Sequence, residues 1–179
     1  MKRILALTAL ALLLAASSAL AQSFGPTGTT TLSVTVGNEA QIEINTQTTT
    51  FSTSTAFADY TGTTNLTYKI RTSKGGNGGS ITVEVTSDFS PTGGPTVGGT
   101  QLTSGDNPTY VCSASSPATA CSGSVTASTS AGTAVYTFGA DNHSAKAGNT
   151  GSVTWTVPND PLYPTGTYQA TATFTISAS

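Results

Sequence analysis

Apolar and polar residues alternate along most of this chain with a period of two. Across residues 168–176 the even positions are Tyr168, Ala170, Ala172, Phe174 and Ile176, and the odd positions are Gln169, Thr171, Thr173 and Thr175. Successive side chains of a strand point to opposite faces, so this pattern predicts one face packed and one face wet. The alternation recurs at Leu32, Val34 and Val36; at Ala40, Ile42 and Ile44; at Leu66, Tyr68 and Ile70; at Ile81, Val83 and Val85; and at Val153, Trp155 and Val157. Each is read as a half-buried strand. Weaker candidates cover residues 109–114, 122–128 and 133–138, where small residues blur which face points inward.

Gly, Pro, Asn and Asp punctuate these segments and supply the backbone angles that turns require. The run Lys74-Gly75-Gly76-Asn77-Gly78-Gly79 predicts a hairpin between two antiparallel strands. Residues 46–63, broken by Phe51, Phe57 and Tyr60, and residues 90–100, rich in Gly and Pro, read as long loops. No window after residue 21 has apolar spacing of the helical kind. Roughly eight to ten short strands with antiparallel-length connections predict an all-β chain, an immunoglobulin-like antiparallel β-sandwich of Greek-key type. A closed barrel has the same alternation. No fixed-period repeat is present, so residues 22–179 are expected to form a single sandwich domain with a flexible N-terminal arm at about residues 22–30.

Composition strengthens the β reading. Of 179 residues about a third are Thr or Ser, while only 8% are charged, so the long charged residues that solvate helices are scarce. The first residues have the zones of a secretory signal peptide: Lys2 and Arg3, an apolar stretch over residues 4–16, and the small-residue site Ala19-Leu20-Ala21. Cleavage after Ala21 is expected, making residues 1–21 the signal. No later segment reaches the roughly 18 apolar residues of a transmembrane helix. The expected location is therefore secreted, at the extracellular surface, or periplasmic.

After residue 21 the bases Lys69, Arg71, Lys74 and Lys146 face eight acids, four against eight giving a net charge of −4. That balance disfavours nucleic acid as a partner. Lys69, Arg71 and Lys74 cluster, but two of them alternate along a strand and read as a solvated sheet face. Cys112 and Cys121 are the only cysteines. In an oxidising compartment they predict a disulfide across a short loop, worth about 2.5–3 kcal/mol in the chain-entropy model.

Candidate chemistry is sparse. His143, the single histidine, sits in the polar turn Asp141-Asn142-His143-Ser144, and neither a nucleophile-elbow motif nor an S-x-x-K motif accompanies it. No catalytic, cofactor-binding or metal-ligating residues are expected. A loop calcium site from Asp106, Asp141 or Asp160 was weighed, but the D-x-[DN]-x-[DN]-G loop is missing. Trp155 shares a face with Val153 and Val157 and so reads as core. Tyr60 and Tyr163 fall outside the clean strands and are the candidate ligand contacts, on which a sugar ring would stack.

The ending Pro164-Thr165-Gly166-Thr167-Tyr168, followed by the alternating strand to Ile176, resembles the last strand of exported bacterial surface β-domains of the fimbrial-subunit and spore-coat-U-like type. The resemblance covers roughly the last 30 residues and the Thr-rich composition. Chaperone-assembled pilins usually carry a penultimate Tyr, where this chain has Ala178; W-x-L surface domains need two such motifs, and here Trp155 precedes Thr156-Val157. The resemblance implies a noncatalytic structural or adhesive subunit at the cell surface, like that of a pilus or coat. The segment ending in Leu32, Val34 and Val36, with Gly25-Pro26-Thr27-Gly28 before it, either pairs with its own sheet or reaches the open edge of a neighbour. The expected partners are accordingly a second copy by strand exchange, another surface protein, or a glycan if the chain is instead a secreted carbohydrate-binding module.

Overall fold

The computed structural model describes residues 27–179; the expected signal peptide and the first residues of the arm lie outside that range. Residues from Val36 to Ser179 form one compact unit, and residues 27–35 are not part of it. Nine strands make up the larger unit: β1 (Glu39–Ile44), β2 (Tyr60–Arg71), β3 (Gly79–Ser90), β4 (Thr109–Ala114), β5 (Thr119–Ala120), β6 (Val125–Thr126), β7 (Thr133–Phe138), β8 (Asn149–Val157) and β9 (Gln169–Ala178). They form a β-sandwich of two antiparallel sheets, ordered β1-β2-β8-β4-β6 and β5-β7-β3-β9. No described residue is helical.

The alternation of the sequence becomes the alternation of burial. Leu66, Tyr68 and Ile70 of β2 and Val153, Trp155 and Val157 of β8 face Ile81, Val83 and Val85 of β3 across the two layers, and all are buried. Tyr68, Tyr110 and Tyr136 are fully buried, and each of their hydroxyls finds a partner: Tyr68 donates to the Ser115 carbonyl at 2.5 Å, Tyr110 to Thr133 Oγ1 at 2.8 Å and Tyr136 to the Ser113 carbonyl at 2.8 Å. These bonds matter because a buried hydroxyl left unpaired costs about 1–3 kcal/mol. The rings pack at an angle, Tyr68 edge-on to Phe138 at 5.2 Å and Tyr110 tilted against Trp155 at 5.1 Å. Cys112 and Cys121 are joined, the first on β4 of one sheet and the second just after β5 of the other, so the bridge ties the layers together.

Several expectations are corrected. Residues 27–38 carry no strand, and Leu32, Val34 and Val36 are 91%, 86% and 61% exposed. The edge of β2 is taken by β1, whose Glu39 to Ile44 pair with Arg71 to Leu66. The glycine-rich run at 74–79 is not a hairpin, because β2 and β3 belong to different sheets. Ile70 and Ile81 both point into the shared core, so the chain must cross to the facing layer between them. Residues 60–63 are strand, paired with residues 154–157 of β8. The weak candidate at 122–128 shrinks to Val125–Thr126, and the two-residue strand Thr119–Ala120 has no counterpart in the sequence reading.

The sandwich has two dissimilar ends. Tyr60 of β2 lies beside Val157 of β8, Thr156 of β8 beside Thr109 of β4, and Ser90 of β3 beside Gln169 of β9, so the long connections at 45–59, 91–108 and 158–168 gather at one pole. At the other pole lie Arg71, Gly79 and Ser179 with the turns at 72–78 and 139–148, knitted by Ser73 N–H to the Ser179 carbonyl at 3.2 Å and Thr72 N–H to the Asn142 carbonyl at 3.1 Å.

Candidate functional site

The feature that sets this sandwich apart from a closed one is its β1/β9 side. Among the described residues β1 pairs only with β2 and β9 only with β3, so both sheets end on the same side of the molecule. The sheet that contains β3 stops at β9. The consequence is visible in burial. The inward-facing residues of β3, one strand away, are 0–6% exposed, whereas Phe174, Ile176 and Ala178 of β9 and Ile42 and Ile44 of β1 are half-buried, and Ala170 and Ala172 are exposed. Alternation put apolar side chains on these inner faces, where they pack against the rim of the core, and no described strand lies beyond β1 or β9 in either sheet.

The outer face of β9 is ordinary for a solvated sheet. The Thr86 and Thr173 hydroxyls pair at 2.9 Å and the Ser80 and Ser177 hydroxyls at 3.1 Å across β3 and β9. Such rows satisfy one another and leave the backbone edge of β9 as the available hydrogen-bonding surface.

The residues singled out for chemistry do not converge. His143 lies at the turn-rich pole, more than half exposed, with its ring nitrogen 3.1 Å from Asp141 Oδ1, and no serine hydroxyl bonds to it among the described residues. The depression there is lined by Asn38, Arg71, Ser73, Lys74, Asp141 and His143. Its polar groups are mostly spent on each other: Arg71 donates to the Gly37 carbonyl at 2.7 Å and pairs with Glu39 at 2.8 Å, and Ser73 donates to Asn38 at 2.6 Å. Asp106 and Asp160 lie at the opposite pole from Asp141, so the three acids weighed as calcium ligands do not meet. Among the described residues no three His, Cys, Asp or Glu side chains group as a metal site.

Of the two candidate tyrosines, Tyr60 opens β2 and is 37% exposed. Tyr163 is the reverse of an exposed platform: its hydroxyl is buried and makes no hydrogen bond. Burial, reinforced by the carboxylates of Asp106, Asp160 and Asp59, pushes that phenol above its ordinary pKa. Trp155 is core, as its alternation implies, and donates its indole N–H to Thr64 Oγ1 at 3.0 Å.

One built feature escaped the sequence reading. Asp88 receives the Phe89, Val97 and Gly98 amides at 2.8, 2.8 and 2.9 Å and the Thr96 hydroxyl at 2.6 Å, folding the 91–98 loop around one carboxylate. Burial opposes its ionisation, but the four donated bonds together hold the Asp88 carboxyl below its ordinary range. An Asp at a strand end reads as a turn former, so nothing in the sequence distinguished it. No family model, curated protein or solved structure matches this chain.

Proposed function

We propose that the chain is an exported, noncatalytic structural subunit that associates with copies of itself by strand addition. In this reading residues 27–36 of one molecule, with Leu32, Val34 and Val36 as the apolar face, run along the β9 edge of the next. The single observation that carries it is a complementarity. One segment has strand alternation but no strand, with its apolar side chains in solvent, and one sheet edge has a half-covered apolar face and an unused row of backbone groups. An added strand lays its apolar residues beside Phe174 and Ile176, which β9 leaves half-buried. Burying three aliphatic side chains contributes about 1.5–3 kcal/mol each, and the main-chain ladder adds direction.

Export is supported by the basic, apolar and small-residue zones of residues 1–21 and by a disulfide that suits an oxidising compartment. No described helix is long and apolar enough to cross a membrane. The likeness of residues 164–176 to fimbrial and spore-coat-U-like domains points to the same role at a bacterial surface.

The test compares the protein of residues 22–179 with its Leu32→Ser, Val34→Ser variant by light scattering and negative-stain electron microscopy in about 500 mM NaCl, where contacts between exposed charges are screened. Both positions are exposed, so the fold is kept. The parent is expected to form multimers or fibres, and the variant to lose them. Equal masses for the two proteins would end this reading.

A further inference from the structure

The charges of the sandwich are sorted by pole. At the long-loop pole lie Asp59, Asp106 and Asp160, with Asp88 at the adjoining end of β3, and no lysine or arginine. Every base of residues 27–179, Lys69, Arg71, Lys74 and Lys146, lies at the turn-rich pole, accompanied by Glu39 and Asp141. Formal charge is thus −4 at one end and +2 at the other, with Glu43 and Glu84 between them. The same acidic pole holds three large apolar side chains in solvent, each on a different loop: Phe57, Leu102 and Leu162, 70%, 49% and 65% exposed.

Hydrogen bonds fix these three loops to one another. Asn159 Nδ2 donates to the Ala58 carbonyl at 3.1 Å, and Thr103 Oγ1 donates to Asp160 Oδ2 at 2.5 Å. Phe57 is held with φ at 61°, a left-handed conformation that a bulky residue adopts only when its surroundings impose it. The apolar group is therefore presented by a braced scaffold.

We propose that the molecule stacks head to tail, the acidic, apolar-tipped pole of one copy docking on the basic pole of the next. Opposite charge selects the partner end, and the aliphatic stems of Lys74 and Lys146, both exposed, cover Phe57, Leu102 and Leu162 while their ammonium groups meet Asp59 and Asp106. The two faces differ, so the contact is heterologous and repeats along a line instead of closing into a dimer. Like the preceding reading it takes a second copy of this chain as partner, but it rests on other residues and does not use the arm.

The experiment isolates the poles by working in the Leu32→Ser, Val34→Ser background, which removes the apolar arm without adding charge. Sedimentation velocity is run over a concentration series from about 20 mM to about 500 mM NaCl, across which the Debye length falls from roughly 20 Å to roughly 4 Å. Weak, concentration-dependent association is expected at low salt, falling by about tenfold or more at high salt. Adding Lys74→Glu and Lys146→Glu is expected to abolish it, and adding both Asp59→Lys and Asp106→Lys to that variant, which exchanges the sign of both proposed pairs, to restore part of it. A monomer at every concentration in low salt, or association indifferent to Lys74→Glu and Lys146→Glu, overturns the stacking. Either result leaves the comparison of parent with arm variant intact, so failure of the arm is recognised separately.

Discussion

At the scale of single residues, polar groups in this core are held in pairs, and their worth is the cost of leaving one partner alone. Thr64 is the clearest instance. It is buried on β2, its Oγ1 accepts the Trp155 indole N–H at 3.0 Å, and it shares a 2.6 Å hydroxyl contact with Thr49. Thr64→Val keeps the shape and strands the indole, so a loss of about 1–3 kcal/mol is expected in urea denaturation, with an unchanged m-value. Trp155 was readable as core because it sits in register with Val153 and Val157. Its partner was not, because dozens of Thr residues carry the same hydroxyl and only the pairing of β2 with β8 selects Thr64. Tyr163 shows a related limit: a residue outside clean alternation reads as exposed, while its loop leaves it half-buried with its hydroxyl covered.

At the scale of elements, strands with a full apolar face were legible and those without were not. β8 and β9 follow strict alternation, whereas in β5 and β6, built from Thr119, Ala120, Val125 and Thr126, small residues fit either face. Turn chemistry located the chain reversal at 72–78 but carried no information on which sheet receives the next strand. The Asp88 loop gives a prediction of its own. Because folding depresses the Asp88 pKa, its clamp contributes above the ordinary carboxylate value of about 4 and weakens as pH falls below it. Asp88→Asn is expected to speed hydrogen exchange at the Val97 and Gly98 amides, relative to their intrinsic rates, near pH 7. The gap between variant and parent should narrow below about pH 4. A gap that is constant with pH would show that the carboxylate charge is immaterial to the loop.

At the scale of the whole molecule, the sequence revealed that apolar faces exist without revealing which of them remain open. Period-two alternation is identical in Leu32, Val34 and Val36, which are exposed, and in Ile81, Val83 and Val85, which are buried. Alternation states what a segment is able to cover; topology decides whether anything covers it. Charge sorting was hidden for the same reason. Asp59, Asp106 and Asp160 are scattered over a hundred residues and meet only because three long loops share an end. The cluster of Lys69, Arg71 and Lys74 was visible locally, but its opposition to the acids was not.

The covalent bridge has one further consequence. Cys112 and Cys121 join the two leaves on the flank away from β1 and β9, so the protein resembles a book with its spine sewn and its fore-edge held shut by packing alone. Transient opening should begin at the fore-edge, and amides of β9 and β1 are expected to exchange faster than those of β4 and β7. Cutting the spine with Cys112→Ser, Cys121→Ser should cost about 2.5–3 kcal/mol and flatten that gradient by letting both flanks part. A variant that keeps the parent's gradient would place the hinge elsewhere.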